Sequence, residues 1–245
     1  MSEAVVVFGK PARPGRVKTR LTPPVSARRA AELYDAFARD VMVTAQRFAE
    51  ARRAKGHIVR TVLAWAGEDE SSPLAKFAAT RLGFEIVGQG DGDLGDRLCR
   101  VSSRLRGDGS DQLIVIGSDS PTLSTEHLDS ARLHLEASDV VFGPSFDGGY
   151  YLVGMGESGP SKPAVEEVIF DGISWSSRRV LEQSWRRATD GGLLCELLGF
   201  WYDVDTFDDL RMARFHLVEY LADRDPLVGQ YTRKLLESQS VIDEE

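Results

Sequence analysis

Five short runs of apolar residues, separated by stretches with helical spacing, restrict what this chain can fold into. "AVVVFG" (Ala4 to Gly9), "IVRTVLAWA" (Ile58 to Ala66), "FEIVGQ" (Phe84 to Gln89), "QLIVIG" (Gln112 to Gly117) and "DVVFGP" (Asp139 to Pro144) read as strands. They are near-continuous apolar runs, as strands buried on both faces must be. Helical stretches lie between them, the longest from Ser26 to Ala54 with Ser26 as N-cap. "SSPLAKFAATRL", with Pro73 in its first turn, "LGDRLCRVSSRLR" and "STEHLDSARLHLEAS" complete the alternation. In the last of these Ser124 opens an imperfect capping box, with His127 where Glu is usual. Such a β-α rhythm predicts an α/β fold, with a mostly parallel sheet between two helical layers.

The rhythm changes after Gly143. "GGYYLVGM" follows too soon for a crossover helix, so it is expected to run antiparallel or to form an insertion. A helix around Ser176 to Ala188, a strand "LLCELLGFWYDV" (Leu193 to Val204) and a helical C-terminus from Thr206 follow. The segment Gly156 to Trp175 reads equally as an acceptor-side lid or as an ordinary surface excursion.

Composition narrows the partners. The 245 residues include 30 basic and 38 acidic side chains, a formal charge of -8, which argues against nucleic acid and anionic membranes. The N-terminus lacks the pattern of a signal peptide, and no apolar stretch approaches a membrane span, so the cytoplasm is the expected location. Cys99 and Cys195 form no CxxC pair and are expected to be buried free thiols.

On a parallel sheet, ligands bind beyond the carboxyl ends of the strands. The loop after the first strand, "FGKPARPGRVKTRL", carries Lys10, Arg13, Arg16, Lys18 and Arg20. It is not a Walker A loop; phosphate binding is the favoured reading over a solvated surface loop. After the fourth strand "GSDSP" presents Asp119 between two serines, either as a turn residue or as a ligand for a divalent cation. In "WYDVDTFDDL", Asp203 and Asp205 fall on one side of an extended chain, where a shared cation would relieve their repulsion. The same stretch also suits a helix start, with Thr206 or Asp205 as N-cap and Asp208 and Asp209 in the first turn. "GPSFDGGYYLVG" places Asp147 before two glycines, as a tight turn or a ligand loop. "GQGDGDLGDRL" could read a base edge with its backbone or merely join strand to helix.

These motifs, in this order from Val5 to about Leu210, resemble the bacterial glycosyltransferase-A-like transferases described as radical-SAM/selenodomain-associated. That family is similar to 2-phospho-lactate guanylyltransferases and, more remotely, to molybdenum-cofactor nucleotidyltransferases. The resemblance implies one domain over residues 1–245 with the nucleotide-diphospho-sugar transferase (GT-A, Rossmann-like) fold. It implies Mg²⁺ or Mn²⁺ as cofactor, and a nucleotide or nucleotide-sugar plus a small-molecule acceptor as substrates. It assigns phosphate contacts to Lys10, Arg13, Lys18 and Arg20, and base or ribose contacts to Asp93, Leu94, Gly95 and Arg97. It gives Asp119, with Asp203 or Asp205, to the metal, and Asp147, Gly148, Gly149 and Tyr150 to the acceptor. A strict Asp-x-Asp is missing at the fourth strand, where position 117 is Gly, and this moves weight from sugar transfer to nucleotidyl transfer. In that reaction Lys18 would stabilise charge on the phosphoryl group. In glycosyl transfer Asp147 could act as base. Two rival readings remain: a non-catalytic nucleotide- or sugar-binding module, and a phosphatase of the haloacid-dehalogenase type suggested by "DVDT".

Overall fold

The computed structural model describes residues 2–67, 72–157 and 163–238. Its elements run β1 (Ser2–Gly9), α1 (Ala27–Arg53), β2 (Ile58–Trp65), α2 (Pro73–Leu82), β3 (Glu85–Gly88), α3 (Leu94–Gly107), β4 (Gln112–Ile116) and α4 (Thr125–His134). Then come β5 (Val140–Pro144), β6 (Tyr150–Met155), α5 (Val165–Phe170), α6 (Val180–Asp190), β7 (Cys195–Leu197), α7 (Phe207–Arg214) and α8 (Gln230–Glu237). The sheet order is β3-β2-β1-β4-β6-β5-β7. β1 pairs in parallel with both β2 and β4, with Val6 opposite Val62 on one side and Val115 on the other. β6 runs antiparallel between β4 and β5, which settles the alternative that the sequence left open.

Alternate residues of β1 enter opposite layers, as the two-residue period of a strand requires. Val5 and Val7 pack with Tyr34, Val41, Met42 and Phe48 of α1. Ala4 and Val6 pack with Leu98, Val101 and Leu105 of α3 and with Ile169 of α5. A third cluster joins Leu21 and Val25 to Leu33 and Phe37 of α1, Val204, Leu210 of α7 and Leu236 of α8. It clamps the end of the basic loop against the segment that carries Asp203 and Asp205.

Local signals set most boundaries. Ser26 accepts from the Arg29 N–H at 3.2 Å, and Ser72 caps α2 with Pro73 in its first turn. Gly83 ends α2 in the left-handed conformation at φ 69°. His127 does stand in for Glu in a capping box, its Nδ1 accepting from the Ser124 N–H at 3.3 Å.

Several expectations need correction. The strand expected over residues 193–204 forms a ladder at Cys195–Leu197, followed by an isolated parallel bridge between Trp201 and Ser145. Beyond it the chain leaves the ladder and crosses the sheet edge. The Leu198 N–H donates to Phe142 O, the Trp201 N–H to Pro144 O, and the Val204 N–H to Asp119 O. The helix expected from Ser176 begins at Val180, and the C-terminal helix breaks into α7, a π-helical turn at Phe215–Tyr220, and α8. In the segment 156–175, α5 buries Val165, Ile169 and Phe170 in the core, so this helix is not a surface excursion; residues 158–162 lie outside the described residues. Cys99 and Cys195 are free, but half-buried rather than buried. Among the described residues no helix is long and apolar enough to cross a membrane.

Candidate active site

β1 connects to β2 on one side of the sheet, whereas β4 lies on its other side. The carboxyl ends of β1 and β4 therefore flank the topological switch point where open α/β sheets bind ligands. A cleft of about 720 Å³ opens there. Its lining includes Phe8, Leu98, Asp119, Asp147, Trp175 and Asp203.

Lys18 occupies the centre of the cluster. It has left-handed backbone, φ 47° and ψ 41°, which a residue with a Cβ adopts rarely and at a cost. Its side chain is 3% exposed, and Nζ lies 3.1 Å from Asp119 Oδ1 and 2.8 Å from Asp205 Oδ1. Burial by itself pulls the ammonium's pKa down, but the charges of Asp119 and Asp205 outweigh it and leave the pKa raised. Lys18 is thus a fixed positive charge. Asp205 also pairs with Arg20. Burial would raise the Asp205 carboxyl, yet Lys18, Arg20 and Lys10 hold it below its ordinary value.

Asp203 behaves in the opposite way. Burial comes first and the neighbouring charge of Asp119 second, and together they push its pKa up to about 7; Ser120 Oγ, donating to Oδ1 at 2.5 Å, opposes the rise only in part. Ser118 shares a hydrogen bond at 2.9 Å with Tyr34, whose hydroxyl also accepts from the Lys10 N–H at 3.1 Å. The two serines of "GSDSP" therefore anchor the turn from both sides, while Pro121 follows.

These contacts alter the expected metal set. The sequence suggested that Asp119, Asp203 and Asp205 surround one cation. Among the described residues, no three His, Cys, Asp or Glu side chains are grouped to hold an ion. The reason is Lys18, whose ammonium fills the space between Asp119 and Asp205. Asp119 and Asp203 still fit a hard divalent cation. Asp119 Oδ1 is buried without a hydrogen-bond partner, facing only the Lys18 ammonium, and Asp203 lacks a counter-charge of its own. The helix-capping reading holds: Thr206 is the N-cap of α7, Asp208 and Asp209 lie in its first turn, and Asp209 accepts from the Thr206 N–H at 2.7 Å.

The remaining expected residues divide. Lys10 lies 5.9 Å from the centroid of the Tyr34 ring. Arg13 faces away from the acids, into a separate groove of about 690 Å³ between the basic loop, α1, α2 and α8. Arg16 is exposed. Asp93 is spent as the N-cap of α3, accepting from the Asp96 N–H at 3.0 Å, and Arg97 Nε donates to Gly92 O at 2.9 Å. Gly95 seats Trp175: a Cβ there would come within 2.6 Å of the indole nitrogen. Of these four only Leu94 lines the cleft.

Asp147 Oδ1 accepts from the Gly149 N–H at 2.9 Å and from Ser145 Oγ at 2.5 Å, which closes the turn between β5 and β6. Tyr150 also lines the cleft, and burial raises its hydroxyl's pKa. Gly148 has φ +90°, and a Cβ on it would sit 2.1 Å from Arg178 O. That glycine admits a segment that sequence reasoning missed: Trp175, Ser176, Ser177 and Arg178 all line the cleft. The "DGG" turn was the available signal, since paired glycines permit close backbone approach, but nothing local named the visitor.

"DVDT" follows the last strand and feeds α7, so the phosphatase arrangement, with its aspartate at the end of the first strand, is absent.

Residues 48–177, more than half of the chain, match the model of a family described as "Uncharacterized protein conserved in bacteria (DUF2064)". No curated protein matches the sequence. Among solved structures, the chain is similar to one provisionally described as a nucleotide-diphospho-sugar transferase, from Desulfovibrio desulfuricans G20. The TM-score is 0.76 at 27% identity, over 97% of this chain and 95% of that one. It also resembles a cytidylyltransferase from Leptospira borgpetersenii serovar Hardjo-bovis, with TM-score 0.56, 12% identity, and coverage of 100% and 98%. A nucleotidyl transferase from Methanothermobacter thermautotroptrophicus gives TM-score 0.50 and 16% identity, over 88% of this chain and 97% of that one. The fold is that of the nucleotide-diphospho-sugar transferases and nucleotidyltransferases.

Proposed function

The chain belongs to the bacterial family DUF2064, and for this member we propose a nucleotide-dependent transferase in which an acceptor oxyanion attacks the α-phosphorus of a nucleoside triphosphate. The observation that carries the reading is Lys18, a buried permanent cation in left-handed backbone between the carboxylates that end β4 and follow β7. An electrostatic device held this rigidly suits charge developing on a transferring phosphoryl group. Resemblance to the radical-SAM-associated transferases and the fold shared with a cytidylyltransferase point the same way.

In this reading, an acceptor O–Pα bond forms, the bond to the β-phosphate oxygen breaks, and pyrophosphate leaves with the electron pair. An attacking phosphate or carboxylate is already ionised, so no general base is required. Asp119 and Asp203 would hold a divalent cation, which supplies charge neutralisation at the phosphates. Asp205 and Arg20 hold Lys18 in register. Asp147 shapes the acceptor-side turn. The parts of Leu94, Phe8 and Trp175 that line the cleft offer an apolar surface for a base.

Glycosyl transfer from a nucleotide-sugar is a second reading, favoured by the description of the Desulfovibrio structure. Product analysis separates the two. Incubation with ATP, CTP, GTP and UTP, and with UDP- and GDP-sugars, each with Mg²⁺ or Mn²⁺, should release pyrophosphate if nucleotidyl transfer holds. Nucleoside diphosphate would mark glycosyl transfer. Nucleotide binding that survives Asp119→Asn and Lys18→Met, with no product from any donor, would leave a non-catalytic binding module instead.

A further inference from the structure

The charged side chains that line the cleft are Asp119, Asp147, Asp203 and Asp205 with Arg20 and Arg178, and the buried Lys18 is already paired with Asp119 and Asp205. Arg20 is committed to Asp205. Arg178 is exposed and has neither an ion pair nor a side-chain hydrogen bond among the described residues. It is the one uncommitted cation among the described residues that line this cleft.

Arg178 is also placed with care. The Leu181 N–H donates to Gly148 O at 3.0 Å, and the Arg178 carbonyl lies where any Cβ on Gly148 would be. Ser176, two residues earlier, has φ 63°, a left-handed conformation in a non-glycine residue. Strain of this kind persists only where the surroundings impose it. Ser177 Oγ accepts from the Arg179 N–H at 3.3 Å, which fixes the turn into α6. The contact with Gly148 puts this segment beside the β5–β6 turn, which the sheet order places on the side of β4 away from β1. An anion held there approaches the phosphate site from the acceptor side.

We propose that Arg178 is the anchor for an anionic acceptor, a small molecule bearing a carboxylate or phosphate, in the cleft between the β5–β6 turn and Asp119. The inference rests on the transferase reading and gives its acceptor a binding residue. Lys18 and Arg20 are already paired with Asp119 and Asp205, so an oxyanion entering beside Asp147 needs a counter-charge of its own, and a guanidinium meets either group with two parallel hydrogen bonds.

The test compares wild type with Arg178→Gln by isothermal titration, using inorganic phosphate and succinate as separate probes. A parallel titration uses ATP, CTP, GTP and UTP with Mg²⁺. The variant should lose at least tenfold in affinity for one of the two probes, and that probe names the oxyanion; affinity for the bound nucleotide should stay within twofold. Equal binding of both probes by the two proteins would overturn the proposal, as would failure of wild type to bind either. If neither protein binds any nucleotide, the transferase reading fails independently of the anion result. Because Arg178 is exposed, unchanged circular dichroism is expected to accompany the variant.

Discussion

Replacing Asp203 by asparagine should stabilise the metal-free protein, and increasingly so as pH rises. Burial first and the Asp119 charge second raise the Asp203 pKa from the ordinary 3.8 to about 7. The folded state then holds a proton that the unfolded chain releases across this window. Stability is full below the unfolded value and falls as pH climbs towards the folded one. Between pH 5 and 7 about two pH units are crossed, at 1.36 kcal/mol each, for a ceiling of about 2.7 kcal/mol. Asp203 is only half-buried, so water contact reduces the expectation to about 1–1.5 kcal/mol. Asparagine keeps an oxygen for the Ser120 hydroxyl and carries no charge. Urea denaturation in EDTA should therefore give an Asp203→Asn advantage at pH 8 that exceeds the advantage at pH 5 by about 1–1.5 kcal/mol. In melting temperature this is roughly 2–6 °C for a chain of this size. Added Mn²⁺ should raise wild type at pH 8 and leave the variant unmoved. An advantage that is constant with pH, or that shrinks as pH rises, would refute the account of Asp203 as a carboxylate short of counter-charge.

Lys18→Met should cost about 2–3 kcal/mol in chemical denaturation, less than a fully buried pair because Asp119 and Asp205 keep water contact, and should abolish product formation. Arg20→Gln, at an exposed position, should cost under about 1 kcal/mol in the same assay. Asp40→Ala removes the acceptor for the Tyr231 and Thr232 N–H groups, both at 2.8 Å, so α8 should loosen at a cost of about 2–3 kcal/mol. Faster proteolysis at the C-terminus would register it, and an unchanged cleavage rate would count against that role.

The sequence was sufficient where information is local or periodic. Apolar runs identified β1 to β5, residues such as Ser26, Pro73 and Ser124 marked helix starts, and the missing crossover after Gly143 left an antiparallel strand or an insertion, of which the structure has the strand. It also marked Lys18, Asp119, Asp203 and Asp205, because charged residues directly after buried strands must face the sheet edge. It failed where charges met across the fold. Three carboxylates looked like one cation's ligands, and nothing in the spacing showed that Lys18 already stood between two of them. Asp93 and Arg97, read as ligand contacts, make hydrogen bonds within five residues, at the start of α3.

Composition and pattern thus determined the layers, the sheet and the edge at which chemistry would collect, since burial of strands and exposure of charge are properties of short segments. Tertiary structure alone decided which charges neutralise one another. Asp205 reaches Lys18 across 187 positions of chain, and the Val204 N–H ties that segment to Asp119 O. Likewise Arg178 enters the cleft only because Gly148, thirty residues earlier, leaves room for its carbonyl. Electrostatic free energy depends on distance and burial in space, and neither is written in the order of the residues.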